Sequence, residues 1–378
     1  MNFRSAVSLL VLLSLGSTTA QNNSTGNGNG NGIGNGNGNG NATFPAPPPQ
    51  RPCVDIRRKE VRDMTTQEWQ NFANAFRAVN SGGVLAMFVN WHIDAWTPFH
   101  FNEFFLPFHR CYLREFEFAL MQNGADFLPY WESTFESQAP EQSVVLTSQY
   151  AGSSNGEHVV DGPFGQDVFT AAVGGGPLIR AYNPQGTGAF FAQSLIEDDI
   201  MTASFSEFSN RCEIGPHATV HSVLGGAGGH MSGAISPCDP LFWMHHAWID
   251  KLWVDQQRRF PNTAYEFEAN AFGRTANPNS LVGMGSWQCR VSDVMRTEDI
   301  CISYAQPVNA ASGDTGNGVV RAPEIAENFL NGTGANITFV EQLANETQTS
   351  ADKISGGSSM AYLSVLAVVP TLLLAAML

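Results

Sequence analysis

From Thr65 onward the chain places apolar residues at helical intervals. Thr65 and Glu68 stand at capping-box spacing, and Trp69, Phe72, Ala73, Phe76 and Val79 then share one face before Gly82-Gly83 ends the run. The pattern predicts a second helix over Val84–Ala95, with Phe88, Trp91 and Ala95 inward and His92 beside them. Pro107 suits the first turn of a third helix, whose face is His109, Leu113, Phe116 and Leu120. His100 lies half a turn out of phase with His109, so it must reach the same place from the loop before Pro107. Further along, Pro216 is expected to open a helix carrying His217 and His221 four residues apart, closed by Gly225-Gly226. Asp239 caps another, with Pro240 at its first position and Phe242, His245, His246, Asp250 and Trp253 along it.

Composition places the fold in the middle of the chain. Of 378 residues, 43% are hydrophobic and 14% charged, which rules out disorder except at the ends. Acidic residues outnumber basic ones by 34 − 19 = 15, which argues against a nucleic-acid partner. Arg4, the apolar stretch Ala6–Leu15 and Thr18-Thr19-Ala20 read as a signal peptide over 1–20, and hence as secretion. Residues 21–52 form an Asn/Gly- and Pro-rich linker that cannot bury enough surface to fold. One large domain is expected over 53–306, then a polar, sequon-bearing tail over 307–359.

Met360–Leu378 is apolar with no Lys or Arg after it, which reads as a glycolipid (GPI) anchor signal, with a tail-anchored helix as the alternative. Glycosylation sequons fall at Asn22, Asn23, Asn41, Asn331, Asn336 and Asn345, all in the flanks. In a secreted chain Cys53, Cys111, Cys212, Cys238, Cys289 and Cys301 are disulfide candidates, and spacing does not choose their pairing.

The histidines carry the chemistry. His92, His100 and His109 make one candidate three-nitrogen site. His217, His221 and one of the adjacent pair His245-His246 make another, since only one of that pair can face inward. All-imidazole sites suit zinc, copper, iron or nickel. The Glu of the zinc-protease His-Glu-x-x-His pattern is missing, and so is a diiron carboxylate repeat, which leaves copper and zinc open. Asp250, one turn after His246, is expected to accept a hydrogen bond from a ligand's free N–H.

These residues resemble the type 3 copper proteins: tyrosinases, catechol oxidases and molluscan oxygen carriers. Phe105-Leu106-Pro107-Phe108-His109-Arg110 is similar to the family's first copper motif. Asp239 to His246, continuing to Asp250 and Trp253, is similar to its second. Leu128-Pro129-Tyr130-Trp131 and Asp161-Gly162-Pro163-Phe164 resemble its connecting motifs, and Val291–Met295 with Cys301 and Tyr304 its closing strand. The eight-residue step from His92 to His100 looks most like the short fungal members.

The resemblance implies a mainly α fold: a four-helix bundle around a dinuclear copper site, with irregular loops and few short strands. It implies two copper ions, one held by His92, His100 and His109, the other by His217, His221 and His246, with His245 a neighbour. Phe242 should pack beside the pair. The implied reaction oxidises a small catechol to an o-quinone with O2. Monophenol-hydroxylating members usually carry Asn directly after the first histidine of the second site, where it shares a water with a Glu; here that position is Ala218, and Glu213 is the candidate glutamate. Diphenol oxidation is therefore expected to dominate, against the alternatives of a full tyrosinase, an oxygen-binding protein without turnover, or a copper-free structural relative. Pro98 two residues before His100 excludes the Cys–His thioether of some members, and Trp131-Glu132-Ser133 replaces their usual Trp-Asp-Trp.

Overall fold

Helix boundaries follow from caps and prolines. In the computed structural model, which describes residues 55–267, 275–283, 289–308, 320–323, 325 and 337–355, α1 spans Thr66–Ser81. Its capping box is formed: Thr65 Oγ1 accepts from the Glu68 N–H at 3.2 Å, and Glu68 Oε2 from the Thr65 N–H at 2.8 Å. Helix α2, Val84–Phe99, runs four residues beyond its expected end. It passes through Pro98, whose missing N–H costs one helical bond, because Phe99 is buried and stacks on Phe108 at 4.8 Å. It stops at His100, which is extended.

Helix α3 is Phe105–Gln122 and α7 is Pro240–Arg259. These two and α2 share an aromatic core, in which Trp243 stacks on Phe116 at 3.5 Å and Tyr112 at 4.9 Å, with Phe88 edge-on at 5.7 Å. Asp239 caps α7 by accepting from the Leu241 N–H at 2.8 Å. It is itself gripped by the buried Arg180 guanidinium, at 2.7 and 2.8 Å.

A short helix α4, Gln193–Leu195, leads into a π-helical turn at Ile196–Ile200. Helix α5, Phe205–Cys212, a second π turn, Glu213–His217, and α6, Ala218–Gly225, then form one helical run. Pro216 thus does not open a helix. It sits inside the π turn, where the wider backbone pitch absorbs a residue that cannot donate. Strand β1, Ile56–Arg58, pairs in parallel with β4, Ile302–Tyr304, and β2, Leu281–Val282, pairs antiparallel with β3, Cys289–Arg290. Helix α8, Val291–Val294, follows β3. The architecture is mainly α with a few short strands, as the resemblance implies.

The polar tail contains more order than its composition suggests. Helix α9, Ile337–Ile354, buries Val340, Leu343, Thr347 and Ala351, a sparse stripe at helical spacing among polar residues. Arg211 pairs with its Glu346 at 2.7 Å, and Asp199 accepts from its Ser350 at 2.8 Å. Sequon residue Asn345 is exposed on α9; the other five sequons, the signal segment, the linker, Cys53 and the apolar C-terminal segment lie outside the described residues. No helix among the described residues is long and apolar enough to cross a membrane. Of the six cysteines, Cys111 pairs with Cys289, tying α3 to β3, and Cys301 is also disulfide-bonded. Cys212 and Cys238 are buried free thiols, so the expectation that every cysteine is a disulfide candidate narrows here.

Candidate metal centre

The six histidines come together in two buried groups. His92 on α2, His100 just past its end and His109 on α3 bring one ring nitrogen each within 4.8 Å of one another. So do His217 at the end of the π turn, His221 on α6 and His246 on α7. The two groups adjoin: the His109 and His246 rings stack at 4.3 Å. All six side chains are between 1% and 3% exposed, so the rings are withdrawn from bulk water.

Local helix geometry sets the tautomers. A histidine one turn after a carbonyl can donate Nδ1–H back to it: His109 to Phe105 O at 2.9 Å, His217 to Glu213 O at 2.9 Å, and His100 to Trp96 O at 3.1 Å. His92 and His221 donate instead across the site to Ala234 O at 2.7 Å and Met231 O at 2.6 Å, in the loop between α6 and α7. Five rings are therefore held with Nδ1 protonated, which makes Nε2 the nitrogen able to bind a metal. Nε2 of His92, His100 and His109 is buried without a hydrogen-bond partner, and those of His221 and His246 lie 3.1 Å apart. Converging bare imidazole nitrogens, at a cost that only a bound cation offsets, fit copper ions.

Burial depresses every one of these imidazoles: His92 to about 3, His221 to about 4, and His100, His109, His217 and His246 well below the ordinary imidazole range. For the last four, the neighbouring rings add to the effect. Neutral imidazole is the form that binds metal, so protons compete weakly here.

The walls are aromatic. Phe242 lies 4.1 Å from the His246 ring and 5.1 Å from His92, between the two groups as its helical spacing suggests. Phe105 lies 4.8 Å from both His109 and His217. Phe105 stands four residues before His109 on one helix, a spacing that marks it as a wall residue beyond those the histidine pattern picks out. His245 faces away from the pair: it stacks on the outer side of His217 at 5.8 Å and donates from Nε2 to the His217 carbonyl at 3.3 Å.

One expected role changes. Asp250 does not hold a ligand. Its carboxylate accepts from Arg110 Nε at 2.5 Å and the Tyr304 hydroxyl at 2.5 Å, with Arg58 at 3.4 Å, in a buried ionic knot joining β1, α3, α7 and β4. One helical turn puts it on the flank of α7 that meets these elements. Glu213 is buried, and both its carboxylate oxygens accept from the Phe101 N–H, at 2.9 and 2.8 Å. Burial pushes its carboxyl well above the usual range. Ala218 is also buried, so no polar side chain stands directly after His217.

Known proteins are similar to this chain in sequence and in fold. The family model for the common central domain of tyrosinase matches residues 83–259, which include all six histidines. A tyrosinase of Streptomyces glaucescens is 30% identical over 242 residues, 55% of this chain and 85% of the relative. One from Streptomyces lincolnensis is 34% identical over 193 residues, 44% of this chain and 67% of the relative. Among solved structures, a polyphenol oxidase from Thermothelomyces thermophila superposes with a TM-score of 0.52 at 21% identity, covering 66% of this chain and 89% of that one. A functional unit of Octopus hemocyanin superposes with a TM-score of 0.51 at 18% identity, covering 77% of this chain and 72% of that one. With two histidine triads that fit a dinuclear copper centre, this chain belongs to the tyrosinase family of type 3 copper proteins.

Proposed function

We propose that the protein is a copper-dependent phenol oxidase that uses O2 to convert o-diphenols to o-quinones, with little or no hydroxylation of monophenols. The observation that carries the reading is the position after His217: Ala218 offers no donor or acceptor that could share a water with Glu213, whose carboxylate already accepts the Phe101 N–H. A monophenol needs its proton removed before its ring can be oxygenated, and no pair of side chains here is poised to hold a base for that step. A catechol asks less of the protein. Two catechols each give up two electrons and two protons, and one O2 becomes two waters. The bound metals would supply the electron-accepting and O2-binding chemistry. The protein's part is to keep six imidazoles neutral and fixed by their carbonyl bonds, and to line the centre with Phe105 and Phe242 so that water is excluded.

The same proposal includes secretion, from the signal-like segment 1–20, and tethering through a glycolipid anchor replacing 360–378. Release from intact cells by phosphatidylinositol-specific phospholipase is the expected result, and retention in the membrane removes the anchor from the proposal. For the reaction, the copper-loaded protein should consume O2 when given a simple catechol and form the quinone absorbance, with tyrosine turned over at least tenfold more slowly. Two bound coppers with reversible O2 binding and no quinone would instead make it an oxygen-binding protein. Turnover of tyrosine equal to that of catechol would make it a full tyrosinase.

A further inference from the structure

We propose that Glu213 is a positioning residue that couples the two triads: from the helical run of the second, its carboxylate fixes the backbone that presents His100 to the first. The proposal rests on the dicopper centre and not on turnover. Five of the six ligating histidines sit within helical turns, which set their direction, whereas His100 follows the last residue of α2 in extended conformation. The residue after it, Phe101, has φ +55°, a left-handed conformation that a side chain with a Cβ rarely adopts. Something must hold it there, and its N–H points at Glu213, 2.8 and 2.9 Å from the two oxygens and 112 residues away in sequence.

Glu213 is bonded into both triads. Its main-chain carbonyl takes the Nδ1–H of His217, and its side chain takes the amide next to His100. Movement of the π turn would therefore be felt at a first-triad ligand. The rest of the loop is pinned locally: Asn102 donates to the His100 carbonyl at 2.7 Å and accepts from the Phe104 N–H at 2.9 Å, and the His100 ring stacks on Trp96 at 4.5 Å. No thioether can fix this histidine, since Pro98 stands where some relatives carry the cysteine. The bond from the opposite helix takes over that duty, at the cost of burying a carboxyl that is 1% exposed.

The test compares Glu213→Gln, which keeps an oxygen acceptor, with Glu213→Leu, which has none. Copper is titrated into the full-length apoproteins against a competing chelator, and apoprotein melting is recorded alongside. Glu213→Leu should hold one copper as the wild type does and the other about 10–100-fold more weakly. Glu213→Gln should hold both within about threefold, the leeway left by exchanging one acceptor for another. The weakened site is identified with His100→Ala: adding Glu213→Leu to it should cause no further loss. Wild-type affinity for both coppers in Glu213→Leu overturns the proposal, as does equal weakening at the two sites together with a lowered melting temperature.

Should Glu213→Leu fail to fold, hydrogen exchange in the wild-type apoprotein decides. The Phe101 amide, outside any helix or strand, should be protected as strongly as those of α3, and rapid exchange contradicts the bond. A wild type that binds no copper would sink the dicopper reading, whereas two coppers retained by Glu213→Leu would sink only the coupling.

Discussion

Replacing Asp250 by Ala is expected to cost the fold about 4–6 kcal/mol while leaving copper affinity nearly unchanged. The carboxylate is 3% exposed and answers two guanidinium groups, Arg110 at 2.5 Å and Arg58 at 3.4 Å, and the Tyr304 hydroxyl at 2.5 Å. Arg58 keeps Glu117, which it meets at 2.9 and 3.1 Å, but Arg110 is left with the carbonyls of Val294 and Met295 and the face of Trp253. An uncompensated buried charge costs roughly 3–5 kcal/mol, and the lost tyrosine bond adds about 1 kcal/mol. The total is a large share of the 5–15 kcal/mol that typically separates folded from unfolded chains. Urea unfolding of the apoprotein is the assay, because bound metal would mask the change by mass action. Asp250→Asn, which keeps an oxygen toward Arg110, should lose about half as much. A change below about 1 kcal/mol would overturn this role for Asp250. So would an unchanged stability with copper affinity down tenfold or more, the signature of a residue that orients a ligand.

Other consequences are open to measurement. The Cys111–Cys289 bond spans 178 residues, so the double variant Cys111→Ala/Cys289→Ala should lose about 3–5 kcal/mol of apoprotein stability in urea; a loss under 1 kcal/mol would contradict this. Because the folded imidazoles titrate below the unfolded value near 6.5, the folded apoprotein binds fewer protons than the unfolded chain. The imidazoles' share of stability should be full above about pH 6.5 and fall toward pH 4, by up to about 1.4 kcal/mol per unit for each such ring, outweighing the opposite slope of the fewer carboxyls, such as Glu213, that burial raises; a flat profile from pH 6.5 to 5 would count against buried neutral histidines. Ala218→Asn should raise the ratio of monophenol to diphenol turnover by about tenfold or more, since it restores a partner for a base; an unchanged ratio would detach that position from substrate choice.

Much of the centre could be read from the chain because its parts are local. His217 and His221, or Phe242 and His246, share a face by helical spacing alone, and the capping box at Thr65 and the Asp239-Pro240 start formed as expected. The readings that changed depend on partners far away in sequence. Spacing placed Asp250 beside His246, but α7 is buried almost all round, and the elements meeting each flank decide which residue serves the metals. Pro216 read as a helix start because a π turn leaves no mark in a hydrophobic pattern. The bond from Glu213 to Phe101 joins segments 112 residues apart, and periodicity cannot show it. Helix α9 was obscured by composition: Val340, Leu343, Thr347 and Ala351 are enough to dock a helix against a formed core but too few to stand out among polar neighbours.

Each triad is expected to hold one copper ion in a shared, buried centre. Titration of the full-length apoprotein with copper, with the metal counted per chain after gel filtration, tests it most directly when His246→Ala is run alongside. Two equivalents retained by the wild type and one by the variant are the expected result. One equivalent or none in the wild type, or two in the variant, would contradict it.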